Sequence, residues 1–164
     1  MKEKIIMRFS TSIMGGDDEC DLEGKIIDVC EVDHRKFMIN PNIFTKEIFE
    51  KNFDRIIEKI DEYANLRNKF PIAYKVLGRF VLLTGIDISE EIRDLIIKAT
   101  NWSYEKDIWI GKENIAESKR NLKELRDKII RYKPGIPDPL KADLRSPCSL
   151  REYESLFNSL SRRN

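Results

Sequence analysis

Apolar residues recur along most of this chain at the spacing of one helix face. Leu22, Ile26, Val29 and Cys30 fall at i, i+4, i+7 and i+8, which predicts a helix over about 18–32. Gly24 interrupts it, at a cost of up to about 1 kcal/mol relative to alanine. Ile48, Phe49, Phe53, Ile56, Ile57, Ile60 and Tyr63 form one continuous stripe. With Thr45 as N-cap, that stripe predicts a single long helix. Its other face, carrying Glu50, Lys51, Asp54, Glu58, Lys59 and Asp61, reads as solvated surface.

The next helix opens at Pro71 in its first turn and closes at Gly85. Between them lie Val76, Leu77, Phe80, Val81 and Leu83, the least polar run of the chain and the expected central helix. Ser89 then caps a helix with Glu90 and Glu91 in its first turn, where acidic charge complements the helix dipole. Ile92, Leu95, Ile96 and Ala99 form its apolar face. A short aromatic stretch follows, with Trp102, Tyr104, Ile108, Trp109 and Ile110. The last long helix runs from about Glu113 to Tyr132, carrying Leu122, Leu125, Ile129 and Ile130.

Three segments break the helical period. Residues 4–14 (KIIMRFSTSIM) read as a strand or extended arm ahead of the turn at Gly15-Gly16. Residues 33–44, with Pro41, read as a loop. From Pro134 the composition changes, with four prolines in the fourteen residues PGIPDPLKADLRSP, too many for a packed helix. This stretch is either an ordered arm or a flexible linker. Beyond it, Ser149 and Glu152 make a capping box ahead of Tyr153, Leu156, Phe157 and Leu160. The chain therefore divides into a helical domain, 1–133, and a proline-rich tether with a C-terminal amphipathic helix, 134–164. The predicted class is mainly α: about five helices in a compact single domain with a short extended N-terminal arm. The C-terminal helix either grips a partner or a second copy of the chain, or docks on its own core.

Composition fits one domain. The chain has 164 residues, 41% of them hydrophobic and 36% charged, enough for a real core under a very polar surface. Thirty basic residues stand against 29 acidic ones, a net charge of +1. That balance argues against a duplex nucleic-acid partner, which usually meets a clear basic excess. Cys20, Cys30 and Cys148 contain no C-x-x-C pair, and His34 is the one histidine; neither a disulfide framework nor a structural zinc site is expected. The opening MKEKIIMRF has too short an apolar run for a signal-peptide core or a membrane span. A cytoplasmic setting with reduced thiols is the expectation.

The candidate chemistry concentrates in GGDDECDLEG, where Asp17, Asp18, Glu19, Asp21 and Glu23 follow the glycine pair. As a calcium loop beginning at Glu19 it places Gly24 and Ile26 correctly, but Glu19 and Cys30 stand where aspartate and glutamate belong. Asp17 and Asp21, four apart, would share a helical face and could hold magnesium, with Lys25 or Arg79 for developing charge. The simpler reading makes Asp17 or Asp18 a helix cap and leaves the other carboxylates opposing the positive helix end. On that reading there is no metal and no cofactor. Cys30 and His34, with Asp33 to orient the ring, are a conceivable nucleophile and base; a core cysteine and a surface histidine are the plainer alternative. Lys119, Arg120, Lys123, Arg126, Lys128, Arg131 and Lys133 give the last helix basic charge, but Glu117, Glu124 and Asp127 interleave with them. Trp102, Tyr104 and Trp109 could stack bases, or pack as core and interface aromatics.

The opening also resembles a family of small uncharacterised bacterial and phage proteins. That family begins W-G-T, followed after a few residues by N/D-D-x-x-x-D. Here Phe9, Ser10 and Thr11 stand in the W-G-T positions, and Asp17 and Asp21 keep the acidic spacing. The segments IAYKVLGRFVLLTG and RDLIIKAT, then Trp109 and the basic last helix, follow in the same order, so the resemblance spans about 7–133. It implies a mostly helical fold and no particular activity. Together these readings predict a non-enzymatic protein-binding or regulatory protein, in concrete form a phage or bacterial inhibitor of a host enzyme or defence factor. Its contact residues would be Asp17, Asp18, Asp21, Trp102, Trp109, Tyr153 and Phe157. The alternatives are a metal-dependent hydrolase or phosphoryl-transfer enzyme using Asp17 and Asp21, and a nucleic-acid binder using the last helix.

Overall fold

The least polar run of the sequence becomes the axis of the structure, a computed structural model that describes residues 10–144. Seven helices occur among those residues: α1 (Asp17–Val29), α2 (His34–Ile39), α3 (Lys46–Lys51), α4 (Phe53–Ala64), α5 (Phe70–Thr84), α6 (Glu90–Ala99) and α7 (Lys112–Ile130). Single 3-10 turns at Pro41–Ile43, Trp102–Tyr104 and Lys141–Asp143 link or follow them. The mainly-α class predicted from periodicity is correct. No helix among the described residues is long and apolar enough to cross a membrane.

Helix α5 is buried along its length from Ala73 to Thr84, with α1, α4, α6 and α7 packed around it. Its sequence signals act as read. Pro71 sits in the first turn, and Gly85 closes the helix at φ 78°, a left-handed conformation that glycine adopts without steric cost. Ser89 caps α6 by accepting from the Ile92 amide. At the crossing of α5 with α6 and α7, a Cβ on Gly78 would lie 2.7 Å from Ile96 Cγ2 and 3.2 Å from Leu125 Cδ1. The helices therefore approach as closely as they do because residue 78 has no side chain.

Three local expectations need correction. The helix predicted through 45–63 is two helices. Thr45 does cap α3, accepting from the Ile48 amide at 3.3 Å. The ladder then breaks at Asn52, whose buried side chain donates to the Ile48 carbonyl at 2.8 Å and accepts from Arg55. An asparagine amide that bonds to backbone in this way competes with the helix itself. Residues 33–44 are not a loop: Asp33 accepts from the Lys36 amide at 2.9 Å and starts α2. Phe37 and Phe44 on either side of the Pro41 turn are buried against Phe80. Aromatic burial thus orders a segment too short to show a helical period. Residues 10–14 form a turn rather than a strand, with the Gly15 amide donating to Ser12 O and the Ser10 amide to Gly15 O; residues 4–9 lie outside the described part.

The proline-rich segment is an ordered strap as far as residue 144. The Gly135 amide donates to Gly85 O at 2.7 Å, and the Asp138 amide to Leu82 O at 2.9 Å. Lys128 Nζ donates to Pro139 O at 2.6 Å, and Leu140 is buried. The helix predicted beyond Ser149 lies outside the described residues.

Candidate functional site

Helical periodicity splits the acidic run into two faces. Asp17 and Asp21 are exposed, whereas Glu19 is 1% exposed and Glu23 is half-buried on the opposite side of α1. Gly16, not an aspartate, occupies the N-cap, with no side-chain hydrogen bond, so the expected Asp17 or Asp18 cap is not formed. Asp17, Asp18 and Glu19 still occupy the first turn, where negative charge complements the amides. Asp18 pairs with Lys69 Nζ at 2.5 Å, and its carbonyl accepts from Tyr63 Oη at 3.4 Å. Lys25 lies over the Tyr63 ring, 5.5 Å from its centroid. Among the described residues, no three His, Cys, Asp or Glu side chains gather as a metal-holding group.

Glu23 reaches Arg79, which connects the acidic run to a cleft of about 450 Å³. Residues 10–14 form one wall, Glu117, Asn121 and Glu124 of α7 a second, and residues 140–143 of the strap a third, with Arg79 at the floor. The walls are tied together. Thr11 Oγ1 donates to Glu117 Oε1 at 2.7 Å, Asn121 Nδ2 to Thr11 O at 2.7 Å, and the Lys141 amide to Glu124 Oε2 at 2.8 Å. A Cβ on Gly15 would come within 2.2 Å of Ser10 O, so Gly15 is what lets residues 10–14 fold back on themselves.

Arg79 is 5% exposed and carries its charge between two acids. NH1 donates to Glu23, while Nε and NH2 donate to the two oxygens of Asp143 at 3.1 and 3.0 Å. The guanidinium lies 5.9 Å from the Phe37 centroid and 5.4 Å from that of Phe80. Burial pushes its pKa down, but Glu23 and Asp143 more than compensate and hold it above the ordinary arginine value. The arginine therefore clips α1, α5 and the strap together at the base of the cleft.

The other candidates are placed elsewhere. His34 Nε2 pairs with Asp28 Oδ1 at 2.6 Å, whereas Asp33 caps α2, so Asp33 does not orient His34. Cys30 is in the core, where burial pushes its thiol up to about 11. In the aromatic stretch, Trp109 Nε1 donates to Glu105 Oε1 at 3.2 Å, and Glu105 Oε2 accepts from Lys75 Nζ at 3.0 Å. Both members of that ion pair are buried. Trp102 packs half-buried on the core beneath Lys119, 5.0 Å from its ring centroid. Tyr104 packs against Phe70 with the rings tilted by 49° and their centroids 5.9 Å apart. Several cations of α7 and its C-cap have partners: Lys123 pairs with Asp127, while Lys128 and Arg131 both reach Asp138 on the strap. Tyr153 and Phe157 lie outside the described residues.

Sequence reasoning passed over Glu117, Asn121, Glu124 and Asp143 as cleft residues, and Lys75 and Glu105 as a pair. One signal was available: Lys75 and Arg79, four apart in an otherwise apolar helix, each require a buried acid. Which acids those are could not be read from spacing. Comparison with protein families, curated proteins and solved structures returns no match.

Proposed function

We propose that this chain acts by binding rather than by catalysis, as a regulatory protein that takes a segment of a partner protein in the cleft between residues 10–14, α7 and the strap. The cleft itself carries this reading. Its volume, about 450 Å³, is within the range of small-ligand and side-chain sites. Residues 10–14 are already fixed to α7 through Thr11, Glu117 and Asn121, so that side of the cleft requires little further ordering. An extended segment must exchange backbone hydrogen bonds with what holds it, and the cleft is lined by the polar side chains of Ser10, Thr11, Glu117 and Asn121. The resemblance to bacterial and phage proteins makes a host enzyme or defence factor a concrete partner to test.

An array of short labelled peptides, read by fluorescence anisotropy, tests the reading. Replacing Glu117 by glutamine turns a charge-assisted bond worth roughly 1.5–3 kcal/mol into a neutral one worth about 0.5–1.5 kcal/mol, so Glu117→Gln should bind its best peptide about five- to tenfold more weakly. Asp17→Ala and Asp21→Ala, on the exposed face of α1, should bind like wild type. Peptide binding that is lost in the Asp17 and Asp21 variants and kept in Glu117→Gln would move the site off the cleft.

A further inference from the structure

We propose that Asp143 is the built-in occupant of a carboxylate site, and that an acidic side chain of the partner segment takes its place on Arg79 when the turn Lys141–Asp143 swings off the cleft. The inference rests on the binding reading above and supplies the chemistry of what is bound. Arg79 is 5% exposed, and a desolvated guanidinium must be matched by an anion across its fork of donors. Glu23 satisfies one edge and Asp143 the other.

The two acids are held very differently. Glu23 sits in the middle of α1, between Leu22 and the fully buried Ile26 and Ile27. Asp143 sits on a single 3-10 turn whose other residues, Lys141 and Ala142, are exposed, as is Leu144 after it. The last core anchor before the turn is Leu140, 4% exposed. Rotation of the chain after Leu140 would release Asp143 from Arg79 and the Lys141 amide from Glu124. It would leave Leu140 and the bond from the Asp138 amide to Leu82 O in place.

Charge selects the replacement. One carboxylate exchanged for another leaves Arg79 paired as it is now. A neutral or cationic ligand would leave the buried guanidinium with Glu23 alone. A phosphate would bring extra negative charge to a cleft that already holds Glu117 and Glu124. A single aspartate or glutamate side chain is therefore the matched ligand.

Acetate is the probe that tests this without a partner. Asp143→Ala should melt below wild type. Acetate at tens of millimolar should raise its Tm by several degrees more than chloride at equal ionic strength, because a ligand held only by the folded state stabilises it. Wild type, with the site filled by Asp143, should respond equally to the two salts. If Asp143→Ala does not fold, Asp143→Ser shortens the side chain, keeps it polar, leaves room for acetate and should show the same acetate preference. Equal responses to acetate and chloride in the variant would overturn the proposal, as would a larger effect of phosphate than of acetate. Failure here would leave the peptide experiment standing. Acetate rescue combined with no peptide binding would instead remove the partner reading and keep the anion site.

Discussion

Removing Glu105 should be one of the most damaging single changes available in this protein. Lys75 is 2% exposed and Glu105 3%, with their charged atoms 3.0 Å apart. In Glu105→Ala the Lys75 ammonium would remain in the core without that carboxylate, and Trp109 would lose its bond to Glu105. Breaking a buried pair from one side costs about 3–5 kcal/mol, against a total stability of roughly 5–15 kcal/mol for a domain. At about 2–4 °C per kcal/mol for a chain of this size, the Tm should fall by roughly 6–20 °C. Urea denaturation followed by circular dichroism measures the loss directly, and Trp109 emission should shift with the change beside its indole. The double variant Lys75→Met/Glu105→Leu is the control, because an apolar pair of similar volume removes both charges and should recover most of the stability. A single-variant cost under about 1 kcal/mol, or a double variant as unstable as the sum of the singles, would refute the claim that the two charges are buried against each other.

Gly78→Ala should cost about 1 kcal/mol, the gain in helix propensity partly offsetting the contact at Ile96 Cγ2. Gly78→Val should cost clearly more, and a valine variant with an unchanged urea midpoint would show that α5, α6 and α7 do not meet there. Stability should also fall as the solution turns alkaline. Burial raises Cys30 from an ordinary value of 9.0 to about 11, so the folded state keeps a proton that the unfolded chain gives up first. The sign follows: this contribution is complete below pH 9 and is lost as the pH rises from 9 to about 11. The urea midpoint should therefore be lower at pH 10 than at pH 8, with a smaller drop in Cys30→Val; a midpoint that rises with pH in wild type alone would contradict it.

Local signals in the sequence determined most of the helices. Pro71, Gly85, Ser89 and Thr45 act where they were read, because a cap or a fixed φ works within one turn and needs no distant partner. The apolar stripes likewise found the faces of α1, α4 and α6, and that of α7 except for Ile130, which is exposed, since burial selects a helical period wherever a helix packs on a core. Tertiary structure decided the rest. It ended α3 at Asn52, whose amide turns back onto the backbone, and it made α2 from a segment ordered by Phe37 and Phe44 in the core. It also chose among the acids. Composition presented Asp17, Asp18, Glu19, Asp21 and Glu23 as one cluster, whereas packing turned Asp17 and Asp21 to solvent and Glu23 toward Arg79. Glu23 and Asp143, the acids that hold that arginine, lie 56 and 64 residues away from it, and Thr11 lies 106 residues from Glu117. Periodicity assigns a residue to a face of its own helix, but which distant charge meets it there depends on how the helices pack.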